Sequence, residues 1–261
     1  MPAQSLSTAL TAAVDVRLDL AEAPHVSLPV WSSSEGIDGP NRRNPNVWTG
    51  SSVDLSGKAL WNSFTGSYGT TAISPRHIVY AHHVNGLYPK GTVVRFVTMD
   101  DVMVERHVLS SDRVGDSDLD LSTLESELPA SVHWFKVMPE NWFLRCLRRA
   151  PGSQGGLPCV IMDANSQAIS VADITGFQSG GLFAIGSPVV VRRRAFERLL
   201  SRGDSGSPMF VLLGNELFLD GLFKTARGGT EIGSRISVLN SLMASTGCNV
   251  SQAALAGIDS P

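Results

Sequence analysis

From about Val47 onward the chain is a succession of short β-forming runs broken by turn residues, and this pattern limits the fold most sharply. Leu60 to Phe64, Thr70 to Ser74 and His77 to Ala81 read as strands around Gly66 and Gly69. Val93 to Met99 and Val102 to Leu109 make a hairpin turned at Asp100-Asp101. Leu119, Leu121 and Leu124 mark a further strand, and Glu125 to Ser131 is a polar link. Beyond it the style repeats. Cys159 to Met162 and Ala168 to Ile174 flank Ala164-Asn165-Ser166, Val189 to Val191 reads as a strand, and Met209 to Leu213 and Glu216 to Phe223 flank Gly214-Asn215. In Ile236 to Ser245 the apolar residues Ile236, Leu239, Leu242 and Met243 fall at helical spacing, with Gly247 to end the helix. The expectation is an all-β fold of paired β-barrels, about 47–130 and 131–235, closed by a helix over 236–246.

Residues 1–46 read as an N-terminal extension or linker, and 251–261 as a tail. Ser5 to Ala23 has the pattern of a short amphipathic helix; Pro24, Pro29, Pro40 and Pro45, with Ser32-Ser33-Ser34, then suggest extended chain. The pair Arg42-Arg43 reads as a solvated turn, with a processing site as the alternative. No run approaches the roughly 18 apolar residues of a membrane span. The start lacks the basic opening of a signal peptide, so the face-value expectation is cytoplasmic. A net charge of −3 argues against wholesale nucleic-acid binding, and Arg192-Arg193-Arg194 and Arg145/Arg148/Arg149 read as solvated faces. Three cysteines, at 146, 159 and 248, form no CxxC pair and no disulfide framework, so a core must carry the stability.

The chemistry centres on Gly203-Asp204-Ser205-Gly206-Ser207-Pro208. Glycine accepts backbone angles that a β-carbon forbids, so the chain here can turn its Gly203 and Ser205 N–H groups the same way. Two convergent donors beside a hydroxyl form an oxyanion site next to a nucleophile. A plain turn uses the same residue types, so the hydroxyl needs a base and an orienting acid elsewhere. All six histidines, at 25, 77, 82, 83, 107 and 133, precede Ser205. That order excludes an α/β-hydrolase, whose histidine follows its serine. The base belongs to His77-Ile78-Val79-Tyr80-Ala81-His82-His83-Val84, where a strand ends in a His pair. The acid belongs to Asp116-Ser117-Asp118-Leu119-Asp120-Leu121, where three aspartates compete. No H-E-x-x-H motif or Cys/His cluster points to a metal, and no cofactor is expected.

These three segments resemble those of the trypsin/chymotrypsin-like serine peptidases. That family's serine segment reads GDSGGP, from which Gly203–Pro208 departs only at Ser207. Its Ala-Ala-His-Cys aligns with Ala81-His82-His83-Val84, making His83 the base, and its Asp-Ile-Ala-Leu with Asp118-Leu119-Asp120-Leu121, making Asp118 the acid. The resemblance implies two packed six-stranded antiparallel β-barrels and a serine endopeptidase acting on protein or peptide substrates. Catalysis would fall to His83, Asp118 and Ser205, with an oxyanion hole from Gly203 and Ser205. His82 in place of His83, and Asp116 or Asp120 in place of Asp118, stay open. The alternative is an idle trypsin-like scaffold acting as a protein-binding module. The family is commonly secreted.

Departures accompany the resemblance. Val84 stands where the family has a cysteine, and the Ile-Val-Gly-Gly mature start is missing. In the family that new amine pairs with the aspartate before the serine, so Asp204 needs another partner: an amine from processing near Arg42-Arg43, or an internal Arg or Lys. The family position that selects a basic side chain falls on Leu199, and the strand that would line the cleft, Gly221-Leu222-Phe223-Lys224-Thr225-Ala226, lacks the family's Ser-Trp-Gly. Leu199, Lys224, Thr225 and Ala226 are therefore the expected substrate-binding residues, with an apolar or small preference ahead of an acidic one.

Overall fold

The computed structural model describes residues 5–21, 28–33, 41–60, 69–84, 88–149 and 156–255. Helix α1 (Leu6–Leu20) is capped by the Ser5 hydroxyl, which accepts the Thr8 N–H. Strands β1 (Trp31–Ser33) and β2 (Asn41–Arg43) form a small antiparallel ribbon. The N-terminal half is a five-stranded antiparallel sheet of β3 (Thr70–Ser74), β4 (His77–Tyr80), β5 (Val93–Val97), β6 (Met103–Arg113) and β7 (Asp120–Leu124), ordered β3-β4-β7-β6-β5. Helix α2 (Trp142–Arg149) leads to β8 (Leu157–Met162), β9 (Ile169–Gln178), β10 (Leu182–Gly186), the short α3 (Val191–Arg194), β11 (Pro208–Leu213), β12 (Glu216–Thr225) and β13 (Gly228–Glu231). These six strands close into a barrel, β10-β13-β12-β11-β8-β9. Helix α4 (Ile236–Met243) follows, tightens into a 3₁₀ turn and ends at Gly247 in the left-handed region, as its sequence predicts. Among the described residues no helix is long and apolar enough to cross a membrane.

The expected six-stranded N-terminal barrel is a half-barrel among the described residues. Its gap lies between β3 and β5, where residues 58–60 make single contacts to both: Ala59 N–H to Thr70 O, and Leu60 N–H to Arg95 O. They form a bridge rather than a strand. The strand expected over Leu60 to Phe64 lies, beyond Leu60, outside the described residues.

One apolar cluster joins the halves, with Leu55, Ile73, Val79 and Leu121 meeting Phe210, Leu219 and Leu222. Helix α1 is part of the same body. Its Val14 and Leu18 enter that cluster, and Leu6 and Leu10 enter the cluster of the C-terminal barrel. The spacing i, i+4, i+8, i+12 puts all four on one face. Asp15 lies on this face too, held by Arg193 through Nε–Oδ1 at 2.7 Å and NH2–Oδ2 at 3.0 Å. Arg193 also reaches Asp173 Oδ1 at 3.3 Å.

Three sequence expectations change here. The Val189–Val191 run is no strand, and Arg193 is no solvated residue: it is 1% exposed. The chain turns helically at Val191 so that Arg193 faces Asp15 and Asp173, leaving Val189 and Val191 exposed. Arg42-Arg43 is likewise not a free turn. It ends β2, and the Arg43 guanidinium donates to Gly50 O at 2.8 Å and Val53 O at 2.6 Å. Arg145, Arg148 and Arg149 sit on α2, with side chains outside the described set. Cys159 and Cys248 are free thiols.

Trp142 of α2 is fully buried and donates its indole N–H to Asp220 Oδ1 at 2.6 Å. Burial pushes the Asp220 carboxyl up to about 8, against the Trp142 bond and with the nearby Glu231 charge.

Candidate active site

The β4–β7 pairing assembles the histidine and aspartate segments. Its register sets Tyr80 opposite Asp120. The chain leaving β4 therefore runs beside the chain entering β7, and a 3₁₀ turn over His82–Val84 swings the two imidazoles outward. Each finds its own carboxylate. His83 Nδ1 lies 2.8 Å from Asp118 Oδ2, and the His83 backbone N–H donates to Asp118 Oδ1 at 2.8 Å. His82 Nδ1 lies 2.8 Å from Asp120 Oδ1. Asp118 thus holds both ring and backbone of His83, which fixes the ring plane.

Ser205 arrives from the other half on the turn before β11. That turn is pinned to β12 by Gly206 N–H to Phe223 O and Phe223 N–H to Ser207 O, at 2.8 and 2.9 Å. It is tied to the N-terminal half by Gly69 N–H to Ser205 O at 2.9 Å. Ser205 Oγ then stands 2.7 Å from His83 Nε2. Serine, imidazole and carboxylate form one unbroken hydrogen-bonded line across the junction. Asp116 is not in it, and His82 and Asp120 form a separate pair beside it.

Gly203 has φ +99, and a Cβ there would meet the Asn165 side chain at 2.7 Å, so only glycine fits. Among the described residues the N–H groups of Gly203 and Ser205 have no acceptor, whereas Asp204, Gly206 and Ser207 all donate to backbone carbonyls. The Asp204 carboxylate is buried beneath the turn. Its Oδ1 accepts from Asn165 N at 2.9 Å, and its Oδ2 from Ser201 N at 2.7 Å and Ser201 Oγ at 3.0 Å.

A cleft of about 460 Å³ opens beside His83 and Ser205. Lys224, Thr225 and Ala226 line it, as does Arg202, all exposed; Val84, Leu200 and Phe223 are its buried apolar lining. Leu199 is not in the cleft but 58% exposed outside it, with Leu200 in its stead. Leu200, the next residue, packs into the core of the C-terminal barrel and lines the cleft. Phe223 lies on the strand expected to line the cleft, whereas Gly69, Asn165 and Leu200 carried no local signal, since each packs against residues distant in sequence. Among the described residues no three His, Cys, Asp or Glu side chains converge as a metal set.

His77 is a structural histidine. It is fully buried, its Nδ1 lies 2.8 Å from Ser74 Oγ, and burial, with Arg76 nearby, pulls its pKa down to about 4.

No protein-family model and no curated protein sequence matches this chain. Solved structures do. Kallikrein-related peptidase 10 is 15% identical over 72% of this chain and 94% of its own, with a TM-score of 0.49. The secreted serine protease VesC from Vibrio cholerae is 13% identical over 71% of this chain, with a TM-score of 0.50. The match spans 45% of the VesC chain, under half its length. Together with the closed barrel, the half-barrel sheet and the terminal helix, the likeness to the VesC structure establishes the fold: the chain has the trypsin-like serine peptidase fold, in a divergent form.

Proposed function

We propose that the chain is a serine endopeptidase that cleaves protein or peptide substrates through an acyl-enzyme. The observation that carries this reading is the continuous Ser205–His83–Asp118 line, at 2.7 and 2.8 Å, beside an open cleft. Ser205 Oγ attacks the scissile carbonyl carbon while His83 Nε2 takes the hydroxyl proton. Asp118 accepts the Nδ1–H, keeps the ring in the tautomer with a bare Nε2, and stabilises the imidazolium. The tetrahedral oxyanion lies against the N–H groups of Gly203 and Ser205, which have no acceptor of their own among the described residues. His83 returns its proton to the leaving amine, which departs. Water, deprotonated by His83, then releases the acid and restores Ser205.

The apolar Leu200 and Phe223 lining supports an apolar or small side chain next to the cleaved bond, with Thr225 and Ala226 along its path and Lys224 at the exposed edge. A binding module with an idle triad would tolerate a broken serine–histidine contact; the 2.7 Å spacing supports the enzyme instead. A fluorophosphonate probe tests the reading. Ser205 is expected to be labelled, labelling to vanish in Ser205→Ala, and to slow strongly in His83→Ala. A folded chain that resists the probe overturns it.

A further inference from the structure

The turn between β8 and β9 has no task in the proposed reaction, yet it lies against the loop that carries Gly203 and Ser205. Its own bonds make it stiff. The Asp163 N–H donates to Ala168 O at 3.0 Å, and the Asp163 carboxylate accepts from Ser166 N at 2.6 Å and Ser166 Oγ at 2.7 Å. Gln167 turns the chain back with φ +57, and its carbonyl accepts the Val30 N–H at 2.8 Å. Asn165 joins this turn to the loop. Its backbone N–H donates to Asp204 Oδ1 at 2.9 Å, and its Nδ2 donates to Arg202 O at 3.1 Å and Ser201 Oγ at 3.2 Å. The Arg202 carbonyl selects that end of the carboxamide, since the reverse would set oxygen against oxygen. The same carboxamide covers the face of Gly203 where a side chain would stand, its Oδ1 2.7 Å from a Cβ placed there.

The peptide unit between Arg202 and Gly203 is planar and trans, so its C=O and its N–H point in opposite directions. An anchor on Arg202 O therefore fixes the direction of the Gly203 N–H, away from Asn165. Glycine at this position leaves the unit free to rotate unless something holds it. Gly203 lines the cleft, and its N–H has no acceptor among the described residues.

We propose that Asn165 is a positioning residue for this reaction: its carboxamide holds the Arg202 carbonyl and so keeps the Gly203 N–H turned to the cleft as an oxyanion donor. Asn165 touches no reacting atom. Asp204 belongs to the same anchor. Among the described residues its hydrogen bonds come from neutral donors, the N–H groups of Asn165 and Ser201 and the Ser201 hydroxyl. The loop is thus held by the β8–β9 turn rather than by the arginine, lysine or released amine that the family pattern calls for. The inference rests on the peptidase reading for the use of the Gly203 N–H, but the direction of that peptide is observable without turnover.

Asn165→Asp in the full chain tests this. It keeps the shape of the side chain and the backbone bond to Asp204, but sets a carboxylate oxygen against the Arg202 carbonyl. Crystal structures of the two proteins are expected to show Arg202 O facing residue 165 in the unmutated chain and rotated away in the variant. Saturation kinetics with a fluorophosphonate should show a limiting rate about 10²-fold lower, the scale of one lost oxyanion donor. The half-saturating concentration should stay within about threefold, because the donor acts on charge that develops only in the transition state. Ser166→Ala is the control for mere support. It takes the Ser166 hydroxyl from Asp163 within the same turn and leaves the bonds of Asn165 in place. It should lower the urea midpoint and keep the limiting rate within about twofold. Should Asn165→Asp not fold, Asn165→Ala decides by the same two measurements. An unturned peptide, a limiting rate within about twofold, a loss that falls on the half-saturating concentration, or an equal loss of rate in Ser166→Ala each overturns the inference. The two readings fail separately. An unlabelled protein whose Arg202–Gly203 peptide turns in Asn165→Asp refutes the peptidase alone. A labelled protein whose Asn165→Asp variant keeps both its rate and its peptide direction refutes the role of Asn165 alone.

Discussion

Gly69→Ala is the most informative single change. Gly69 lies against the turn that carries Ser205, its N–H bonded to Ser205 O at 2.9 Å. An added Cβ would sit 2.3 Å from Gly206 O and 2.6 Å from Ser207 N. Both are backbone atoms, so no rotamer relieves the clash. To reach ordinary van der Waals contact, the turn and β3 must part by about 1 Å. That separation parts the turn that carries Ser205 from the half that carries His83 and Asp118. A displacement of about 1 Å in a reacting group costs roughly 10²-fold in rate. Overpacking at such a site costs about 1–3 kcal/mol of stability. The expected variant is thus folded, with a somewhat lower urea midpoint, and reacts with a fluorophosphonate about 10²-fold more slowly. Gly176→Ala is the control, because nothing lies within 4 Å of a Cβ there. A Gly69→Ala protein that reacts within about twofold of the unmutated one would refute the argument that this backbone contact sets the serine–histidine geometry.

Three more outcomes follow from buried groups. Asp15→Ala strips the Arg193 guanidinium of its bidentate partner and should cost about 3–5 kcal/mol in urea denaturation; a cost near zero would show that α1 is only laid on the barrel. The Asp220 carboxyl is raised to about 8 in the fold, so the folded state binds more protons than the unfolded one between the ordinary carboxylate range and that value. Its contribution is full in acid and is lost as pH rises through about 8. Asp220→Asn keeps an acceptor for Trp142 and should flatten the fall in Tm between pH 5 and pH 8; an unaltered slope would assign that fall elsewhere. His77, lowered to about 4, acts in the opposite sense. Its share of stability is present above its ordinary value and is lost as pH falls toward 4, so His77→Gln should hold its Tm better in acid than the unmutated protein.

What is local in this protein was legible in its sequence. Alternating apolar runs located most strands, the Asp100-Asp101 and Gly214-Asn215 turns located two hairpins, and helical spacing located α4. The glycine-flanked Ser205 and the order of the histidines pointed to one hydrolase class, because backbone freedom and chain order are properties of the sequence itself. Tertiary structure decided the rest, because each remaining question turned on a long-range register or a buried charge. Two histidines adjoin and two aspartates stand two apart; the Tyr80–Asp120 register gives His83 to Asp118 and His82 to Asp120. An arginine run is polar in any window, and only the meeting of α1, α3 and β9 buries Arg193. The same holds for Lys58, an ordinary lysine in sequence that the tertiary structure buries completely.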